Sequence, residues 1–139
     1  MRSYLAVAVG GLIGTGLRLA CDLAFPHADD AFAVETLVVN LVGAFALGWL
    51  VGGPWTRPTT PMWLKAGLGP GVLGSFTTLS AVMASLLVLG REGEWLTASA
   101  YLLASVAGGL AAAAAGLRIG SLIAHRPMPT EVTDAGETL

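Results

Sequence analysis

Gly67-Leu-Gly69-Pro70-Gly71-Val-Leu-Gly74-Ser75-Phe76-Thr77-Thr78-Leu79-Ser80 places glycine at four positions, one proline and consecutive hydroxyl side chains inside an apolar segment. Pro70 has no backbone N–H to donate and its ring collides with the preceding turn, while each glycine weakens a helix. A break or kink is therefore expected within Gly69 to Ser75. The segment that contains it, Met62 to Leu89, exceeds the roughly 20 apolar residues a helix needs to cross a bilayer. Broken helices at membrane depth are tolerated where they line an aqueous path or hold an ion, because the freed carbonyls then have something to coordinate. A simple kink is the plainer alternative.

Three more stretches reach spanning length: Tyr4 to Phe25, Phe32 to Gly52 and Trp95 to Ile123. In a chain of 139 residues that is 55% hydrophobic and 12% charged, with mean hydropathy +0.74, they leave little besides connections. The expected fold is an all-α integral membrane protein of four transmembrane helices, the third broken. Residues 1–126 form one transmembrane domain, and residues 127–139 a polar tail expected to be disordered in water. The connections Pro26 to Ala31, Gly53 to Pro61 and Gly90 to Glu94 are short, so successive helices are expected to be antiparallel neighbours. Four spans put Arg2, Arg57, Lys65, Arg118 and Arg126 on one side and only Arg91 on the other. Positive charge favours the cytoplasmic side, which places both termini there and the protein in the cell inner membrane.

Composition also excludes functions. The net charge is −2, with Asp29, Asp30, Glu92, Glu94, Glu131, Asp134 and Glu137 in loops or tail, so there is no basic surface for nucleic acid. The single cysteine, Cys21, cannot close an intrachain disulfide, and His27 and His125 belong to no metal-ligand cluster. Arg2 followed by an apolar run faintly suggests a secretory signal, but Arg18 interrupts the pattern and the run is too long. An enzyme is not expected: there is no nucleophile and base pair, and Gly67 to Gly74 lacks the lysine of a phosphate loop.

Small residues recur as GxxxG pairs at Gly10/Gly14, Gly48/Gly52, Gly67/Gly71 and Gly116/Gly120, the spacing that lets helix backbones approach in lipid. Packing is sufficient explanation for them, and for Ala111 to Ala115. Polar groups that lipid should not tolerate say more. Arg18 lies deep in the first span, where an arginine costs about 2.5 to 3.5 kcal/mol, and Asp22 stands four residues on as a structural partner. Asn40, in Thr36-Leu-Val-Val-Asn40-Leu-Val-Gly43, carries two amide hydrogens and no titratable charge. It suits an interhelical hydrogen bond or a pathway equally. Tyr101 and Ser105, one turn apart on one face of the fourth span, are hydroxyls of the kind that glue helices together.

In order, Gly10-Gly11-Leu-Ile-Gly14-Thr-Gly-Leu-Arg18, Glu35-Thr36-Leu-Val-Val-Asn40-Leu-Val-Gly43, Gly71 to Ser80 and Tyr101-x-x-x-Ser105 resemble the fluoride channel family, Fluc or CrcB. The resemblance covers all four spans and excludes the tail. It implies a dimer of antiparallel subunits with two fluoride pathways and a structural, untransported sodium ion at its centre. By position, the carbonyls of Gly71 and Gly74 resemble those that hold the sodium. Phe76 matches the first of two phenylalanines whose positive ring edges face the anion. Asn40 would donate from its amide, and Thr77, Thr78, Ser80, Tyr101 and Ser105 would offer hydroxyls along the route. Fluoride is strongly hydrated, so a pore must replace its water with donors that do not hold it too tightly.

The sequence departs from the family at Leu79, where the second phenylalanine is usual, and leucine presents no positive edge. Some family members pair two different subunits in opposite orientations. Leu79 and the one-sided positive charge point to a second, paralogous chain as partner. Two other classes compete. A small multidrug exporter has four spans but needs a mid-span carboxylate, and Asp22 and Glu35 stand near span ends. A non-conducting membrane subunit would use the GxxxG faces, but gives Asn40 and the hydroxyls no task.

Overall fold

A computed structural model describes residues 1–24 and 33–124. Four helical spans run Arg2–Ala24, Val34–Thr56, Met62–Arg91 and Trp95–Ala124, each long and apolar enough to cross a membrane, and no strand occurs among the described residues. The protein is a multi-pass membrane protein. The connection Pro26 to Ala31, the span ends Phe25 and Phe32, and the tail with His125 and Arg126 lie outside the described residues.

The first span is one helix, α1 (Arg2–Ala24), and the second is α2 (Val34–Gly52) closed by a 3-10 turn at Pro54–Thr56. The third is α3 (Met62–Ala66), a π-helical segment Gly67–Leu73, a single turn α4 (Gly74–Phe76), and α5 (Leu79–Arg91). The fourth is α6 (Trp95–Ala124).

Around Pro70 the third span departs from the expectation in an instructive way. The chain does not break at the proline. It widens into π winding, in which the Gly74 N–H reaches the Gly69 carbonyl five residues back, and the four glycines admit this winding without side-chain collisions. The helical path is left further on, where Thr77 (φ −85°, ψ 150°) and Thr78 (φ −146°, ψ 124°) are extended before α5 begins. Thr78 caps α5, its hydroxyl accepting from the Ala81 N–H at 3.3 Å.

The packing order also differs from a simple succession of neighbours. The extensive contacts join α2 to α6 and α1 to the π segment, whereas α1 and α2 barely touch. Glycine decides this. A side chain at Gly10 would collide with the Gly67 carbonyl, and one at Gly48 with the Ala113 carbonyl. The GxxxG pairs therefore meet across the fold, Gly10/Gly14 against the Gly67–Gly71 region and Gly48/Gly52 against the stretch leading to Gly116/Gly120. Close backbone approach supplies dispersion contact that lipid cannot match, so these two seams outweigh proximity in sequence.

Few large side chains are enclosed: Tyr101, Leu89 and Thr36 are the largest fully buried ones. Leucine, valine and isoleucine cover the outer faces, as a lipid-facing surface requires.

Candidate functional site

Asn40 clamps the interruption in the third span. Its Nδ2 donates to the Thr78 carbonyl at 2.9 Å, and its Oδ1 accepts from the Thr78 N–H at 2.9 Å. An extended residue at membrane depth has lost its helical partners, and a neutral amide that both donates and accepts replaces them without introducing charge. One amide hydrogen satisfies Thr78; asparagine carries a second.

The clamp changes what the neighbouring carbonyls can do. In a continuous α-helix the Thr78 N–H would donate to the Gly74 carbonyl, and here it donates to Asn40 instead. Gly74 itself is exposed at the surface of the subunit. Gly71 is buried against Val7 and Gly10 of α1, and its carbonyl accepts from the Gly74 N–H.

The hydroxyls around the interruption are differently committed. Thr77 Oγ1 donates to the Leu73 carbonyl at 2.9 Å, closing the last helical turn. Thr78 Oγ1 and Ser80 Oγ share a hydrogen bond of 2.8 Å. Tyr101 is wholly buried, its hydroxyl donating to the Ala33 carbonyl at 3.3 Å. Ser105 Oγ is buried and has no hydrogen-bond partner among the described residues. Leu79 is 71% exposed and points away from the subunit's own core.

Helix α2 divides these groups between two cavities. Asn40, Gly43, Ala44 and Leu47, on one face, line a cavity of about 760 Å³ together with Gly74 and Thr77. Glu35, Val38, Val39 and Val42, on the opposite face, line a second of about 510 Å³ with Phe76 and Cys21. The spacing of three and four residues within each set is that of one helical face, and the sets lie half a turn apart. The sequence groups Asn40 and Phe76 in one route; within this subunit they face different cavities.

At the first cavity's end, Lys65 Nζ donates to the Trp55 carbonyl at 2.7 Å, tying the 3-10 turn to α3, and the Trp55 ring closes over Gly69. Thr60 Oγ1 to the Pro54 carbonyl at 2.6 Å braces the same turn. Beside the second cavity, Arg18 Nε lies 3.0 Å from Asp22 Oδ1, and Nη2 donates to Thr36 Oγ1 at 2.8 Å. Sequence reasoning passed over Glu35, Lys65 and Trp55 as functional residues. The pattern Glu35, Val38, Val39, Val42 could have placed Glu35 on the face opposite Asn40, but no local signal joins Lys65 to Trp55.

A family model described as CrcB-like protein, Camphor Resistance (CrcB), matches residues 5–117. A curated relative from Azotobacter vinelandii (strain DJ / ATCC BAA-1303), "Fluoride-specific ion channel FluC", is 42% identical over 85% of this chain and 96% of its own length. "Fluoride-specific ion channel FluC 2" from Geobacillus kaustophilus (strain HTA426) is 38% identical over 81% of this chain and 88% of its own. "Fluoride-specific ion channel FluC 1" from Bacillus cereus (strain ATCC 10987 / NRS 248) is 33% identical over 86% and 88%.

Proposed function

The chain belongs to the CrcB family, and from that premise we propose that it is a fluoride-selective ion channel rather than an enzyme. It lets cytoplasmic fluoride leave down its electrochemical gradient. Hydrogen fluoride enters as a neutral weak acid from an acidic exterior and dissociates in the more neutral cytoplasm, and a negative-inside potential then drives the trapped anion out. The role is protection from fluoride toxicity at the cell inner membrane, with cytoplasmic termini.

The observation that carries this reading is the neutral clamp of Asn40 on Thr78. It holds a helix interruption open with dipoles alone, beside the hydroxyls of Thr77 and Ser80. A small anion needs donors in place of water, and fixed positive charge would hold it too long. In this reading the remaining amide hydrogen of Asn40, the ring edge of Phe76 and the hydroxyls of Thr77, Thr78, Ser80, Tyr101 and Ser105 serve the route, while Arg18 is structural.

The working unit is an antiparallel dimer. A structural sodium at its centre suits the chemistry of Gly74, whose carbonyl lacks its helical donor because Asn40 takes the Thr78 N–H. A carbonyl has two lone pairs, so Gly71 retains one beyond its bond to Gly74. Sodium is hard and takes oxygen ligands; bound between subunits it would hold the carbonyls of Gly71 and Gly74 together. Exposed Leu79 and the numbered names of some relatives support a paralogous chain as the second subunit.

Purified protein in liposomes, read with a fluoride electrode, tests the reading. Fluoride efflux far faster than chloride efflux is expected, falling when a large organic cation replaces sodium throughout purification. Absence of fluoride efflux, alone and with a co-reconstituted paralogue, overturns it. Rapid sodium-dependent efflux from this chain alone would instead remove the need for a different partner.

A further inference from the structure

The two glycine seams divide the four spans into two pairs, and the pairs are joined to each other by different means. Along the first seam Ala6 faces Gly67, Gly10 faces Gly71 and Gly14 faces Ser75, so the first and third spans run parallel with their backbones in contact. Along the second, Gly48 faces Ala113 and Gly52 faces Leu117, and the second and fourth spans do the same. Between the pairs α5 packs on α6, but α2 makes only sparse contact with α1 and with the third span. Dispersion therefore does little to fix how α2 is turned toward the interruption.

One face of α2 is keyed across that boundary instead. Thr36, Asn40 and Gly43, at spacings of four and three, lie on one side of the helix. Thr36 Oγ1 accepts from Arg18 Nη2 at 2.8 Å, Asn40 pairs with the Thr78 backbone, and the missing side chain at Gly43 leaves room for the Thr77 methyl. Thr36 is 1% exposed, a depth at which a hydroxyl has to be matched. Arg18 is itself fixed twice, by Asp22 at 3.0 Å on its own helix and by the seam that locks α1 to the third span.

We propose that Arg18 and Thr36 are positioning residues, whose hydrogen bond sets the rotation of α2 and so brings Asn40, one turn on, to Thr78. A helix turns about 100° per residue, and a slip by one position would present Val39 or Leu41, whose side chains can neither donate to nor accept from Thr78. The charged, planar guanidinium makes a stronger and more directional bond to the hydroxyl than a neutral donor would. This deepens the channel reading and rests on it for any effect on flux, but the positioning itself is measured without flux.

Full-length wild type, Thr36→Val, Arg18→Lys and Thr36→Ser are compared in proteoliposomes. Thr36→Val keeps the shape and loses the acceptor, Arg18→Lys keeps the charge beside Asp22 and loses the fork, and Thr36→Ser keeps the hydroxyl. Amide hydrogen exchange is followed by NMR on protein with isotope-labelled threonine and glycine. Thr78 reports the clamp, and Gly67 and Gly71 report the first seam. Fluoride efflux is measured in parallel.

Thr36→Val and Arg18→Lys are each expected to speed exchange at Thr78 by about tenfold, the effect of losing one charge-assisted hydrogen bond, with Gly67 and Gly71 unchanged. Thr36→Ser is expected to match wild type, and Thr36→Val added to Asn40→Ala to change Thr78 no further than Asn40→Ala alone. Efflux is expected to fall in the two variants that open the clamp. Unchanged exchange at Thr78, equal acceleration at Thr78 and both glycines, a further acceleration in the double variant, or failure of both Thr36→Val and Arg18→Lys to assemble overturns the positioning role. Faster exchange at Thr78 with undiminished efflux sustains it and removes the clamp from the route. The expected exchange pattern in a protein whose wild type passes no fluoride sustains it and overturns the channel reading.

Discussion

The two faces of α2 solve opposite problems. On the Asn40 face, a helix interruption exposes backbone polar groups, and a neutral side chain satisfies them in pairs. On the Glu35 face the backbone is intact, and among the described residues the wall is valine, Phe76, Cys21 and the carboxyl side chain of Glu35. A membrane interior penalises unsatisfied dipoles and unneutralised charge alike. The first face removes the penalty by hydrogen bonding, and the second keeps its wall almost wholly apolar. The contrast teaches that polar and apolar side chains have separate duties here. Dipoles preserve the interruption on one face, and apolar side chains dominate the other.

The largest expected effect comes from making the first face resemble the second. Asn40→Asp loses the donor to the Thr78 carbonyl and sets a carboxylate against it, a buried mismatch of about 1–3 kcal/mol. Fluoride efflux is expected to fall by at least about 100-fold while the protein still assembles, as read by size-exclusion chromatography and a fluoride electrode. Undiminished flux would remove Asn40 from the route. Next, Phe76→Leu keeps the second face apolar and deletes the ring edge. Efflux about fivefold slower is expected, from an edge interaction of about 1 kcal/mol. Normal efflux would mean that the ring only fills space.

The smallest effect concerns the first cavity's end. Lys65→Met loses the hydrogen bond to the Trp55 carbonyl, while Thr60 still braces the turn. A stability loss of about 1 kcal/mol, seen as a small fall in melting temperature, and efflux reduced about twofold are expected. A loss as large as that of Asn40→Asp would show that the Trp55 turn, and not the clamp, controls this face.

Much of the fold was legible because hydropathy reports the solvent directly. Segments long enough to span lipid and rich in leucine, valine and alanine have little choice but helix. The irregularity of the third span was legible for the same reason, since Pro70 and four glycines contradict their surroundings. Its form was not. Whether a proline-bearing stretch kinks, breaks or widens depends on which carbonyls neighbouring helices leave accessible, and here α1 packs so closely on Gly67 and Gly71 that the backbone stays wound there. Asn40 stood out as a polar residue that needed a partner. That its partner is the Thr78 backbone, 38 residues away, is a long-range fact that no local pattern encodes.

The sequence by itself determined the number of spans, their apolar faces, the place of the irregular segment and the resemblance to a family of fluoride channels, because each follows from residue type and order along one chain. Only the tertiary structure decided that the GxxxG pairs of the first and third spans meet, as do those of the second and fourth. It alone decided that the helix ends at Thr77 and Thr78 rather than at Pro70, and that α2 parts Asn40 from Phe76. The reason is physical. In lipid, hydropathy no longer distinguishes one helix pairing from another, so the choice falls to steric fit and hydrogen bonding, which exist only once the helices are in contact.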